Sequence, residues 1–196
     1  MKALILVACV GLFLILIWVI VTLNRFARLR NLVAESWANV DVALKRRHDL
    51  IPNLVKVVER YALHERELLQ EIVETRNRLE NLAADVPALS RGETELSGLI
   101  GRVIARAEAY PDLKSSEHFL ELQRALTNTE DRIAAARRFY NGNVREYRIA
   151  VQSIPASLLA GDPVLPDFFE IEFSERLHPI SSLVEQKSRD ARPELN

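Results

Sequence analysis

The feature that most constrains this chain is an uncharged apolar stretch that runs from Ala3 to Leu23. About 20 apolar residues that rise about 1.5 Å each as a helix match the hydrocarbon thickness of a bilayer, about 30 Å. Asn24 follows, and then three arginines within two helical turns, Arg25, Arg28 and Arg30. We therefore expect the chain to span a membrane once and to fold beside it after Asn24.

Two other uses of this stretch stay open. A cleaved secretory signal has an apolar core of roughly 7 to 15 residues and a small-residue cleavage site, and this segment is longer and has no such site. The run Leu6 to Cys9 resembles a bacterial lipobox, at which Cys9 would be acylated, but too few apolar residues precede it. An uncleaved anchor over residues 1–23 fits best, with Trp18 near the membrane interface.

The charges on either side of the span predict its orientation. Lys2 and the amino terminus precede it, whereas Arg25, Arg28 and Arg30 follow it. Basic residues close to a span favour the cytoplasmic side. A margin of about one charge thus predicts a short external N-terminus and a cytoplasmic domain.

The rest of the chain, about 170 residues, suits one domain with a substantial core. Its 26 basic and 27 acidic residues are interleaved, and the net charge of −1 lacks the excess of positive charge on which nucleic-acid binding depends. The single cysteine, Cys9, lies in the span, so the remaining chain has no disulfide, cysteine zinc site or cysteine nucleophile.

Apolar residues recur at alternating spacings of three and four, which predicts amphipathic helices. The first runs from Phe26 to Leu44 and the second from Leu54 to Ala84, with a kink or break at Pro52 between them. A third, from Arg91 to Tyr110, begins with a capping box formed by Ser90 and Glu93. A fourth holds the spacing from Phe119 to Ile154.

These segments predict an all-α fold, in which a single N-terminal transmembrane helix precedes an antiparallel up-and-down four-helix bundle over residues 24–155. Gly98 and Gly101 stand inside the third helix, where glycine costs about 1 kcal/mol relative to alanine. Either a neighbouring helix approaches closely there or the helix is frayed.

The segment 156–184 contains prolines and a cluster of phenylalanines. Phe168 and Phe169 either cover one end of the bundle or form a docking surface for a partner or for lipid headgroups. Residues 185–196 are polar and charged, which predicts disorder.

The strongest charge cluster is Lys45, Arg46, Arg47 and His48. Lipid contact is disfavoured, because a straight helix places residue 45 roughly 33 Å beyond the span, against a Debye length of about 8 Å. A solvated face, pairing with acidic residues of another helix, and recognition of a partner near Pro52 remain open.

Candidate catalytic groups are few and poorly arranged. They are His48 with Asp49, His64 with Glu65, His118, and Glu130 with Asp131. Adjacent residues on a helix point about 100° apart, so these pairs cannot share one task. No metalloprotease, phosphate-binding or nucleophile motif occurs. We therefore expect no catalytic, metal or cofactor site, and no small-molecule substrate.

Several long motifs carry a resemblance to a known family. They follow the span in the order Trp37, DVALKRRHDLIPNLV from Asp41, YALHE from Tyr61, YPDLK from Tyr110, EDRIAAARRFYN from Glu130 and FFE from Phe168. In this order they resemble the LemA family of bacterial membrane proteins, up to about Glu170. The resemblance implies a cytoplasmic four-helix bundle on one N-terminal span of the inner membrane, and little about chemistry.

The chain departs from that family pattern in two places. Tyr147-Arg148 stands where many members have Tyr-Asn, and the segment Gly161 to Pro166 is not the usual Gly-Phe form.

The sequence favours a non-enzymatic, membrane-anchored scaffold or adaptor, which presents a bundle surface to other membrane-associated proteins or to copies of itself. The alternatives are an uncharacterised membrane-associated hydrolase or transferase, and a lipid-binding organiser of the envelope.

Overall fold

The computed structural model describes residues 1–80, 82 and 85–172, and every regular element in that part of the chain is a helix. The predicted all-α class is therefore confirmed. The helices are α1 (Lys2–Glu59), α2 (Arg66–Leu79), α3 (Val86–Ala107), α4 (Pro111–Lys114), α5 (Glu117–Gln152) and α6 (Ser157–Ala160), with a short 3₁₀ helix at Leu63–Glu65. The disordered tail predicted for 185–196, and the loop prediction from 173 onward, lie outside the described residues.

Helix α1 passes through Pro52 and continues to Glu59, so of the kink or break predicted at Pro52 the break is wrong. A proline inside a helix costs about 3 kcal/mol, because it removes a backbone donor and crowds the preceding turn. Ile51 and Leu54, on either side of it, are completely buried. Burial of each contributes about 1.5–3 kcal/mol, which offsets the cost. The chain leaves the helix only after Glu59, where the Tyr61 and Ala62 amides both donate to the Val58 carbonyl.

Helix α3 begins earlier than predicted, at an Asp85 cap. The Asp85 carboxylate accepts a hydrogen bond from the Ala88 amide at 2.9 Å, and Pro87 occupies the first turn, where its missing N–H costs nothing. The predicted capping box is therefore wrong, because Ser90 and Glu93 lie inside the helix. Their side chains are free to contact other elements.

The close approach predicted at Gly98 is also wrong, because nothing lies within 4 Å of where its Cβ would stand. Gly92 of α3, in contrast, is crowded by a neighbouring side chain. A Cβ there would overlap the Cδ2 of Leu79, a buried residue at the end of α2. Helices α2 and α3 thus meet closely at Gly92.

The chain forms two compact units. The anchor unit comprises residues 1–40 and 136–168. The bundle unit comprises residues 41–135 and, within the described part, 169–172. Helices α1 and α5 each contribute residues to both units.

In the anchor unit, α1 and α5 run antiparallel. The rings of Trp37 and Tyr140 are 5.0 Å apart between centroids, and Asn143 Nδ2 donates to the Leu32 carbonyl at 3.4 Å. The buried residues of α1 in this unit follow one another at helical spacings of three, four or seven positions: Thr22, Leu29, Val33, Ser36 and Val40. The N-terminal part of α1 is long and apolar enough to cross a membrane, and none of its most apolar stretch is buried against the rest of the chain.

The bundle unit contains the larger core. Four long helical segments supply most of it: the end of α1, helices α2 and α3, and the start of α5. Leu113 of the short helix α4 is also buried there. The extended segment 169–172 joins them, because the Glu170 amide donates to Ser90 Oγ and the Glu172 amide donates to Thr94 Oγ1. Its side chains alternate, with Phe169 and Ile171 buried and the two glutamates exposed.

Candidate functional site

The most unusual feature of the bundle unit is a completely buried arginine. Arg47 Nη1 donates to Glu130 Oε1 at 2.9 Å and to Ser97 Oγ at 2.6 Å. Arg47 Nη2 donates to the Glu93 carboxylate. The side chains of Arg47, Glu93 and Glu130 are all 0% exposed. Charged residues are rarely buried so completely unless they are paired, so this group is a built structure rather than a chance contact.

Three helices supply the cluster, and the apolar stripe of each one explains why its polar residue points inward. On α1, Arg47 lies between the buried residues Leu44 and Ile51. On α3, Glu93 and Ser97 alternate with buried Leu89, Leu96 and Ile100 in the same way. On α5, Glu130 lies between Leu126 and Ile133. Folding of the apolar faces therefore brings the charges together.

Burial and pairing act in opposite directions on these groups. Burial alone acts to lower the pKa of Arg47, but the charges of Glu93 and Glu130 outweigh it, and its pKa is raised. Burial alone acts to raise the pKa of Glu93, but Arg47 and then His48 outweigh it, and its pKa is lowered from 4.5. At neutral pH Arg47 and Glu93 are therefore held in their ionised forms.

His48 lies at the edge of the cluster. Its Nε2 is 2.8 Å from Glu93 Oε1, and its side chain is 12% exposed. It also lines a pocket of about 330 Å³ together with Asp41, Lys45 and other charged side chains. The pocket thus brings solvent close to the buried Glu93 carboxylate, which also lines it.

The chemistry of this pocket does not favour catalysis. Both oxygens of Glu93 are engaged, one by Arg47 and one by His48, and its lowered pKa makes it a weak proton acceptor. The described residues that line the pocket include no serine, threonine, cysteine or tyrosine. No group of three or more histidine, cysteine, aspartate or glutamate side chains in the described part could hold a metal ion. The arrangement can instead fix three helices in one register.

The structure separates the predicted surface residues. Lys45 and Arg46 are exposed, as a partner surface requires. The prediction of a partner surface is wrong for Arg47, because its side chain pairs with carboxylates of α3 and α5. Pairing with acidic residues of another helix was one of the alternatives that the sequence left open. A contact role is also wrong for Phe169, whose aromatic ring is 0% exposed in the core of the bundle unit.

Phe168 is half-buried, because Arg148 covers it in the anchor unit. The Arg148 guanidinium lies 4.8 Å from the centre of the Phe168 ring. Its Nε and Nη2 donate to the Pro166 carbonyl at 3.0 and 2.5 Å. The two places where the chain departs from the LemA pattern, at Arg148 and at 161–166, therefore contact each other.

A second candidate site is an open groove of about 470 Å³ in the bundle unit. The end of α1 supplies Asn53, Lys56 and Val57, and Arg60 follows directly after the helix. The start of α5 supplies residues that include His118, Glu121 and Leu122. Arg46 stands seven residues before Asn53, so the two share one face of α1. The groove combines basic and apolar side chains. Reasoning from sequence missed it, because its two sides come from distant parts of the chain.

Comparison with models of protein families identifies the family to which the chain belongs. The model of the LemA family matches residues 36–179. The chain belongs to the LemA family. The match begins after the apolar stretch and includes Arg47, its carboxylate partners and the groove.

LemA relatives with curated names are distant. The chain is 27% identical over 118 residues to Protein LemA of Metamycoplasma hominis, which covers 60% of the chain and 54% of that protein. It is 22% identical over 175 residues to Magnetosome protein MamQ of Magnetospirillum gryphiswaldense, covering 76% of the chain and 63% of that protein. It is 24% identical over 162 residues to Magnetosome protein MamQ 2 of Paramagnetospirillum magneticum, covering 70% and 60%. The chain thus spans between about half and two thirds of these relatives, none of which has an enzyme name.

Proposed function

We propose that this LemA-family protein is a membrane-anchored adaptor, which binds another membrane-associated protein through the groove between α1 and α5. The observation that carries the proposal is the placement of charge in the bundle unit. Arg47 and its two carboxylates pair with one another inside the core. In contrast, Lys56 and Arg60 are exposed beside half-buried Val57. A surface that is both apolar and charged is suited to recognition.

The groove favours an acidic amphipathic helix as its occupant. Two neighbouring helices with apolar side chains between them form the kind of groove in which the apolar face of a third helix can lie. Lys56 and Arg60 flank that position with positive charge, against the one carboxylate of Glu121. The partner segment should therefore carry apolar residues on one face and acidic residues along its edge.

The membrane setting of the proposal is the bacterial inner membrane, with a short N-terminus outside and the rest of the chain in the cytoplasm. The exposed apolar stretch of α1 and the basic residues Arg25, Arg28 and Arg30 support it. We also propose that the four helical segments of the bundle unit form an antiparallel up-and-down bundle. In that arrangement the Arg47 cluster sets the register of α1, α3 and α5.

Photo-crosslinking in intact membranes tests the adaptor role. A benzophenone amino acid placed at Val57 should give one discrete adduct, either with a partner or with a second copy. The double variant Lys56→Glu/Arg60→Glu should lose that adduct, because its charges repel an acidic segment. The matched control Arg66→Glu/Lys114→Glu changes two exposed basic residues outside the groove lining and should retain it.

Position-independent capture would contradict the adaptor role. If the same adducts formed with the benzophenone at exposed Gln70, the groove would have no selectivity. Loss of the adduct in both double variants would show that overall charge, rather than the groove, governs the contact.

A further inference from the structure

The segment that ends α5 and forms α6 is unusually free of charge. Asp162 is its one charged residue between Ile149 and Pro166, in a chain of which 27% of residues are charged. Ile154 is 87% exposed and Leu158 is 82% exposed. Single exposed apolar residues are ordinary, but an uncharged segment with its large apolar side chains in the open requires an apolar neighbour.

The register of the anchor unit places this segment along α1. Asn143 bonds to the Leu32 carbonyl, and the two helices run antiparallel with the same rise per residue. Ten residues back from Leu32 is Thr22, and ten residues on from Asn143 is Ser153. The end of α5 therefore lies level with the last turn of the apolar stretch.

Burial along α1 agrees with this register. Thr22 is 8% exposed, whereas its neighbours Val21 and Leu23 are 60% and 46% exposed. One side of α1 is thus covered by protein at the level where the stretch Ala3 to Leu23 ends, and the α5 end is the part of the anchor unit that the register brings there.

We infer that Ile154 and Leu158 form a second membrane contact, in which the turn between α5 and α6 inserts into the lipid interface beside the anchor helix. This inference rests on the proposed membrane anchoring of α1. Lipid is the occupant that the position selects, because the turn is level with the end of the span and offers apolar side chains without charge. Short apolar elements of this kind insert at the boundary between headgroups and acyl chains.

Depth-dependent quenching on the full chain in lipid vesicles tests the inference. In a Cys9→Ala background, Leu158→Cys carries an environment-sensitive fluorophore, and the vesicles contain phosphatidylcholine and phosphatidylglycerol with or without brominated acyl chains. The matched control is Phe139→Cys, an apolar α5 residue that is 58% exposed. By the same register Phe139 lies level with Ser36, roughly 20 Å beyond the end of the span.

The label at 158 should emit at shorter wavelength than the label at 139, and brominated lipid should quench it at least twofold more strongly. Ile154→Cys provides a second position and should behave like Leu158→Cys. A label on native Cys9, which is exposed within the span, reports insertion of the anchor itself.

Three results would overturn the inference. Water-like, unquenched emission at both 154 and 158 would show that the turn stays in solution. Emission shielded from water but not quenched by brominated lipid would show that protein covers the turn. Absence of quenching at Cys9 would overturn the membrane anchor and the second contact together, whereas quenching at Cys9 alone would leave the anchor intact.

Discussion

Replacement of Arg47 by methionine should severely destabilise the protein. Methionine retains much of the volume but removes the cation, which leaves the Glu93 and Glu130 carboxylates buried at 0% side-chain exposure without their partner. Removal of one partner from a buried ion pair costs about 3–5 kcal/mol. Against a total stability of about 5–15 kcal/mol for an ordinary domain, this is a large fraction.

Thermal unfolding of the full chain in nanodiscs, followed by circular dichroism, measures the effect. A shift of about 2–4 °C per kcal/mol for a chain of this size converts the cost into a Tm about 6–20 °C lower. Arg46→Met is the matched control, because Arg46 is adjacent and exposed. It should change stability by less than about 0.5 kcal/mol.

A combination of variants separates charge from volume. In a Glu93→Gln/Glu130→Gln background, the loss of Arg47 leaves no buried negative charge without a partner. Arg47→Met should therefore reduce stability by less than half of its effect in the wild type. An unchanged cost in that background would show that Arg47 acts through packing. A Tm for Arg47→Met equal to that of Arg46→Met would refute the cluster's contribution altogether.

Three further outcomes follow from the structure. Gly92→Ala should destabilise the protein by about 1–2 kcal/mol, because the new methyl group overlaps a buried leucine. Gly98→Ala should stabilise it by up to about 1 kcal/mol, because nothing stands near the new methyl group and alanine favours the helix. Denaturant unfolding that ranks the two variants in the opposite order would contradict the close approach of α2 and α3. The pKa of Glu93 is lowered from 4.5 in the folded protein, so its contribution to stability is complete above about pH 4.5. That contribution is lost as the pH falls through the pKa of the folded state. The Tm difference between wild type and Arg47→Met should therefore shrink below about pH 4.5. Arg148→Ala should increase hydrogen exchange or proteolysis in the segment 163–168, which loses its bonds at the Pro166 carbonyl and the contact with Phe168, and an unchanged cleavage pattern would show that other contacts hold this segment.

Helical periodicity predicted the elements well where apolar spacing was long and uninterrupted. The predicted fourth helix, from Phe119 to Ile154, closely matches α5 at Glu117–Gln152. The local rule failed at Pro52, because burial of its neighbours outweighed the backbone penalty. At Ser90 and Glu93 a capping pattern competed with an aspartate cap and an N-terminal proline a few residues earlier, and the earlier signal was correct.

The position of Arg47 within a run of basic residues does not predict that its side chain is buried. Read along the sequence, Arg47 is one of four consecutive basic or titratable residues, and nothing in that run separates it from Arg46. Read against the apolar stripe of each helix, Arg47, Glu93 and Glu130 stand at inward positions, and their opposite charges predict a pairing. The residues that line the groove could not be found this way, because the packing of α1 against α5 depends on the tertiary fold.

The most direct test of the adaptor role is a charge swap between the groove and its partner. Once the adduct at Val57 has identified the partner segment, Lys56→Glu/Arg60→Glu should abolish crosslinking, and lysines in place of the acidic residues of that segment should restore it. Restoration to at least half of the wild-type yield would support recognition through the groove. Failure of the swap, with both proteins folded and present in the membrane, would contradict it.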